Sequence, residues 1–293
     1  MDRRRYIQEF GVGGALSVAG CLGNSTPAAD AAVQGEALTL ATATTAYDSG
    51  LVDELVPGFE RLFGAGVDPV VRGTGSALRT ARNGDCDAVL VHARSLEDDH
   101  LRSGHGVNRR TVAVNDFLVV GPPEDPAGAA GRDPVAAFRV IADAETPFVS
   151  RGDDSGTHVR ERRIWEAAGV DPGGDWYSET GQGMGNTLVV AEQSDAYALT
   201  DRGTFLAVAG DGLAAHVDHG VTDPPASLRN EYALVPTNPE KHDVAYPLAM
   251  AFAGYVTGPG QSRIAGFRLD GERAFRPAAG AAFGQYVPSD WDG

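Results

Sequence analysis

Lysine is all but absent from this chain: Lys241 stands alone among 293 residues, and the other 23 cationic side chains are arginines. Against them stand 40 aspartates and glutamates, for a formal net charge of −16. A chain so acidic offers no broad basic surface, so duplex nucleic acid is excluded as an expected partner. Acid-rich, lysine-poor composition fits a protein kept soluble at very high salt, where surplus charge is a halophile device. Cysteine is scarce as well. Two, Cys21 and Cys86, cannot form a disulfide framework or a cysteine-rich zinc site. No stretch reaches the roughly 20 apolar residues needed to cross a bilayer. What is present is 42% hydrophobic residues, enough for packed cores and too many for a wholly disordered chain.

Residues 1–35 are expected to be an export signal, lipobox and tether rather than fold. Arg3-Arg4-Arg5 is a basic start with a twin arginine, and Phe10 to Ala19 is short, apolar and glycine-rich. Val18-Ala19-Gly20-Cys21 resembles a lipobox, with Cys21 as the lipid-attachment residue, and Asn24 to Ala32 reads as a polar tether. Twin arginine followed by a lipobox resembles the export signal of haloarchaeal lipoproteins. The body is thus expected outside the cytoplasm, held to the cytoplasmic membrane by lipid.

The body alternates strands and helices. Leu51, Val52, Leu55, Val56, Phe59, Leu62 and Phe63 line one helical face, which Gly64 can close. Ala37–Ala41, Asp68–Val71, Ala88–Val91, Asp116–Val120 and Phe148–Ser150 read as strands, with further ones near Tyr197 and Tyr232. Ser76–Asn83, Pro134–Asp143, Thr157–Ala168 and Tyr246–Thr257 read as helices, and another follows Gln261. The alternation argues for an α/β fold with mixed sheets and helices on both faces.

One chemistry recurs at three strand-to-helix turns: Thr42 to Gly50, Arg72-Gly73-Thr74-Gly75-Ser76, and Arg151-Gly152-Asp153-Asp154-Ser155-Gly156-Thr157. Ligands of open α/β sheets lie beyond the carboxyl ends of the strands. Helix N-termini supply free N–H groups, Thr and Ser add O–H donors, and glycine lets the backbone come close. Each turn alone is also an ordinary helix cap. The third is the most specific, because a guanidinium, two hydroxyls and two N–H groups surround one helix start. Other chemistries fit poorly. His216-Val217-Asp218-His219 matches no standard metal spacing and is expected to be an exposed loop, so no metal or other cofactor is expected. Gly181-Gln182-Gly183-Met184-Gly185 lacks the rest of a nucleotide loop and is expected to start a packed helix. A hydrolase using Ser155 with His158 lacks the Gly-x-Ser-x-Gly elbow.

The ordered motifs carry a resemblance. Tyr47-Asp48-Ser49-Gly50-Leu51, Gly73-Thr74-Gly75, Gly106-Val107-Asn108-Arg109-Arg110, Asn115-Asp116-Phe117, Val119-Val120-Gly121-Pro122 and Glu124-Asp125-Pro126-Ala127-Gly128 come first. Ser150 to His158, Glu179 to Gly185, Thr200-Asp201-Arg202-Gly203-Thr204 and Asn238-Pro239-Glu240-Lys241-His242 follow. From about Leu38 to Phe267 the chain resembles the TupA-type tungstate-binding components of ABC transporters. The resemblance implies a two-lobed, type II periplasmic-binding-protein fold, with lobe 1 at 36–115 plus 236–293 and lobe 2 at 116–235. It implies capture of tungstate, or molybdate, between the lobes and delivery to a membrane permease whose ATPase is a separate subunit, with no bond made or broken. The family's oxyanion contacts carry over to Thr42, Thr44, Thr45, Thr74, Arg151, Ser155 and Thr157, with Gly156 as an N–H donor. Ala43 replaces a hydroxyl of the family's first turn, and Arg72 stands where the family has an aliphatic residue. Phosphate- and sulfate-binding proteins of the same fold are the alternative.

Overall fold

A computed structural model describes residues 33–280 and Pro288. The expected signal, lipobox and Cys21 lie outside the described residues. The chain begins β1 (Ala37–Ala43), α1 (Thr44–Asp48), α2 (Leu51–Phe63), β2 (Gly66–Arg72), α3 (Thr74–Asn83), β3 (Ala88–Val91), α4 (Arg94–Arg102) and β4 (Arg110–Gly121). Next come α5 (Pro134–Asp143), β5 (Phe148–Ser150), α6 (Gly156–Ala168), β6 (Tyr177–Glu179), α7 (Met184–Gln193), β7 (Ala198–Asp201), α8 (Arg202–Val208) and β8 (Ala214–Val217). It ends with β9 (Arg229–Pro236), α9 (Tyr246–Thr257), α10 (Gly260–Gly266) and β10 (Arg276–Pro277). The α/β expectation is met.

The sheet runs β10-β4-β9-β3-β1-β2, with β7 and β8 also paired to β4. β1 is parallel to both β2 and β3, and β9 runs antiparallel to β3 and β4. β4 is long because it serves two sheets. Its first half pairs with β9, and Phe117 to Gly121 pair with β7 and β8. By hydrogen bonding, residues 229–236 sit with β3 and the first half of β4. A seam at 235/236 would therefore cut at the end of β9 rather than before it.

Strand alternation divides the cores. Ala88 and Leu90 of β3 face a cluster with Leu38, Leu40, Phe59, Phe252 and Tyr255, while Val89 and Val91 face one with Ala77, Leu78 and Ala81. On β4, Phe117 and Val119 join Phe138, Phe148 and Trp165, while Leu118 and Val120 join Met184, Leu188 and Leu213. Each sheet region is thus covered by helices on both faces. The α2 periodicity behaves as expected: Leu51, Val52, Leu55 and Phe59 are buried, and Gly64 ends the helix at φ +67°.

Two motifs lock β4 to α8. Asp116 takes a two-pronged ion pair from Arg202, at 2.7 and 2.9 Å, and Asn115 Nδ2 donates to Asp201 at 3.2 Å. Asp201 caps α8 by accepting from the Thr204 N–H. A second buried pair joins Arg109 to Glu97 of α4 at 2.7 Å. The His216 segment differs from expectation. His216 is buried on β8, its Nε2 2.9 Å from the Pro122 carbonyl, and Asp218 pairs with Arg202. β8 pairs along β4, which draws this segment in. No group of three or more metal-ligating side chains occurs among the described residues. No described helix is long and apolar enough to cross a membrane.

Candidate functional site

The three hydroxyl-rich turns meet. Parallel β1, β2 and β3 end side by side, with Thr42 level with Val71 and Leu90. The first turn is tighter than expected, since β1 runs on to Ala43 and Thr44 already opens α1. The second places Gly73 as the cap of α3 and Thr74 as its first residue. The third comes from the other sheet region. Ser155 caps α6, its Oγ accepting from the His158 N–H at 3.1 Å, and Gly156 and Thr157 form the first helical turn.

Contacts between the turns are direct. Arg151 Nη1 donates to Thr44 Oγ1 at 3.0 Å, and Nη2 pairs with Asp153 at 2.5 Å. Asp153 Oδ1 accepts the Ser155 N–H at 3.2 Å. Asp154 is exposed, with φ +55°. A Cβ at Gly73 would stand 3.2 Å from Asp153 Oδ2, so the second and third turns touch. A Cβ at Gly156 would stand 2.6–2.8 Å from three atoms of the His92 ring, so a side chain at 156 fits only if the ring or the start of α6 shifts. Arg72, at the end of β2, is exposed.

Burial is deep. Thr42, Thr45, Thr74, Ser155 and Thr157 are fully buried, and Arg151 is 1% exposed. Thr42 Oγ1, Thr74 Oγ1, Thr157 Oγ1 and Arg151 Nε are buried without a hydrogen-bond partner among the described residues. Such groups are costly unless something accepts from them. They come from both sides of the cleft. Beside them a cavity of about 480 Å³ opens between α1 and the start of α7, lined by Thr44, Asp48, Gly183 and Gly185 among others. Burial pushes the Asp48 carboxyl up, against the opposing pull of the Arg151 charge.

Sequence reasoning missed a layer behind the first turn. Thr45 Oγ1 lies 3.0 Å from His92 Nε2, and His92 Nδ1 lies 2.9 Å from Asn230 Oδ1. Asn230 Nδ2 donates to Asn115 Oδ1 at 2.7 Å. The His92 ring stacks on Tyr232, with centroids 4.9 Å apart. Burial lowers the His92 pKa to about 4, and that of Asp201, also by burial, rises to about 6. One signal was available: Asn115 and Asp116 are adjacent polar residues inside an otherwise apolar run from Val112 to Val120.

The Ser155 hydrolase arrangement is not formed. The Ser155 hydroxyl caps α6, and the His158 ring lies near the Asp154 N–H and, at 3.7 Å, Glu179.

A cleft between two α/β halves, lined by unpartnered donors from each, defines a solute-binding protein of the periplasmic type. The PBP superfamily domain matches residues 26–259. A Haloferax volcanii protein named for anion binding in an ABC transporter is 50% identical over 100% of this chain and 92% of its own length. The tungstate-binding protein TupA of Peptoclostridium acidaminophilum is 37% identical, over 78% of this chain and 80% of its own. The crystal structure of the tungstate ABC transporter from Geobacter sulfurreducens matches with a TM-score of 0.72 and 44% identity, covering 79% of this chain and 98% of that one. This chain belongs to the periplasmic-binding-protein superfamily and, within it, to the TupA family.

Proposed function

We propose that this protein captures tungstate, with molybdate as an alternative ligand, between its two lobes and delivers it to an ABC permease with a separate ATPase subunit. The observation that carries the reading is the set of buried, unpartnered donors from both sides of the cleft: Thr42 and Thr74 facing Thr157 and Arg151 Nε. A tetrahedral dianion supplies only acceptors, which is what such a set lacks. Thr44, Thr45, Ser155 and the Gly156 N–H complete the lining. An anion that bonds to both lobes favours the closed arrangement, since it gains its full set of contacts only there. The protein works by binding and release, and no catalytic residue is assigned. The names of its relatives support the ligand and the transport role. The protein acts outside the cytoplasm, as substrate-binding components of importers do, tethered through lipid on Cys21.

The test is calorimetric titration of the purified protein with tungstate, molybdate, sulfate and phosphate at high salt. Tungstate should bind at least as tightly as molybdate, then sulfate, with phosphate last. Phosphate binding as tight as tungstate would favour the phosphate-binding reading instead.

A further inference from the structure

The hydrogen-bond directions behind the first turn can be assigned from one fixed end. The Asp201 carboxylate accepts the Thr204 N–H at 3.0 Å and the Thr204 hydroxyl at 2.7 Å. Both of its oxygens are thus turned to accept, Oδ1 from the N–H and Oδ2 from the hydroxyl, so it presents an acceptor to Asn115. Asn115 therefore points its amide nitrogen at Asp201 and its oxygen at Asn230. Asn230 donates to that oxygen, which leaves Asn230 Oδ1 facing His92 Nδ1. An amide oxygen only accepts, so Nδ1 carries the ring hydrogen. Burial keeps the ring neutral, so Nε2 is bare, and Thr45 must donate to it.

We infer that His92 is a positioning residue of the anion site, which takes the hydroxyl hydrogen of Thr45 and fixes the first turn against the start of α6. The inference rests on the oxyanion reading above. It divides the hydroxyls into two kinds. Thr42, Thr74 and Thr157 have hydrogens free for an anion. Thr44 and Ser155 use an oxygen lone pair to accept, from Arg151 and the His158 N–H, so their hydrogens are free too. Thr45 alone has its hydrogen committed, and its contribution is placement rather than donation. The same ring lies against Gly156, within 2.6–2.8 Å of where a Cβ would be. One imidazole therefore sets the spacing between Thr45 on one side of the cleft and the α6 amides on the other.

Two measurements test this. ¹⁵N NMR of anion-free protein at pH 7.5 should show His92 neutral with its hydrogen on Nδ1, the rarer tautomer. A hydrogen on Nε2, or a charged ring, overturns the inference whatever the anion does. Sodium tungstate titrations of Thr45→Val, His92→Phe and the double variant form a cycle. Each single change should weaken binding at least fivefold, and the double variant should lose no more than the worse single one. His92→Gln, whose amide oxygen can accept from Thr45, should recover part of the loss. Losses that multiply independently, or no loss, overturn the inference. Absence of tungstate binding by the unaltered protein would sink the oxyanion reading and this role for His92, while leaving the tautomer itself measurable. Should His92→Phe fail to fold, the tautomer and Thr45→Val still decide.

Discussion

Arg151 reaches across the cleft to Thr44: its Nη1 donates to the threonine hydroxyl oxygen at 3.0 Å, while Nη2 holds Asp153 on its own side. The guanidinium is thus oriented by one neutral and one anionic partner, and its Nε remains unpartnered and buried. It is the one full positive charge in the proposed lining.

Arg151→Ala should weaken tungstate binding at least tenfold by calorimetry, since a charge-assisted contact is the strongest in the set. Arg151→Lys should recover only part, because an ammonium cannot serve Thr44, Asp153 and the anion with the same planar fork. Near-native affinity in Arg151→Ala would move the site elsewhere.

Gly156→Ala should cost at least tenfold in tungstate affinity with little change in Tm. The added methyl meets the His92 ring, and the cleft can relieve that contact by opening. Small-angle scattering with tungstate present should then show a more extended particle than the unaltered protein. Tight binding by the variant would mean the ring can shift at no cost.

Glu161 carries a pH prediction. It is 1% exposed and accepts from the Trp165 ring N–H at 3.2 Å and the Tyr177 hydroxyl at 2.8 Å. Burial raises its pKa from 4.5 to about 7. Between those values the folded state binds more protons than the unfolded, so this group's contribution to stability falls as pH rises through that window. Glu161→Gln mimics the protonated form. It should leave Tm near unchanged at pH 5 and raise it by at least about 3 °C at pH 8, at roughly 2–4 °C per kcal/mol for a chain this size. A gain at pH 5 that vanishes at pH 8 would contradict the assignment.

Cys21→Ser should release the protein from the membrane fraction into the medium if Cys21 carries lipid, because lipid is the anchor expected. Retention of the variant in membranes would count against the lipobox.

Elements with local signals were legible. The α2 stripe and its closing Gly64, the apolar β3, and the Ser155 cap of α6 each depend on residues within a few positions of one another. The first half of β4 was not, because Arg110, Asn115 and Asp116 interrupt its apolar pattern. Their compensation comes from residues far along the chain, such as Asp201 and Arg202. α4 escaped for a related reason: its buried face carries Glu97, Asp98 and His100 rather than aliphatic side chains. At the site, the three turns could be read because hydroxyl, glycine and helix start are adjacent in sequence. The Thr45–His92–Asn230–Asn115–Asp201 chain could not, since its members come together only through the pairing of β1, β3, β9, β4 and β7. His219 is exposed in a loop as expected, but His216 was misread because nothing local announces that β8 joins β4.

β4 also limits how the molecule could be divided. One uninterrupted backbone provides pairing partners to β9 and β10 at one end and to β7 and β8 at the other. A chain severed between Asp116 and Phe117 would leave each fragment with half of that strand, while the Asp116–Arg202 pair would have to re-form between separate pieces. Swapping ligand preference between relatives by exchanging whole halves would therefore carry the risk of mismatched strand register, and exchanges confined to the three turns would leave that shared backbone intact.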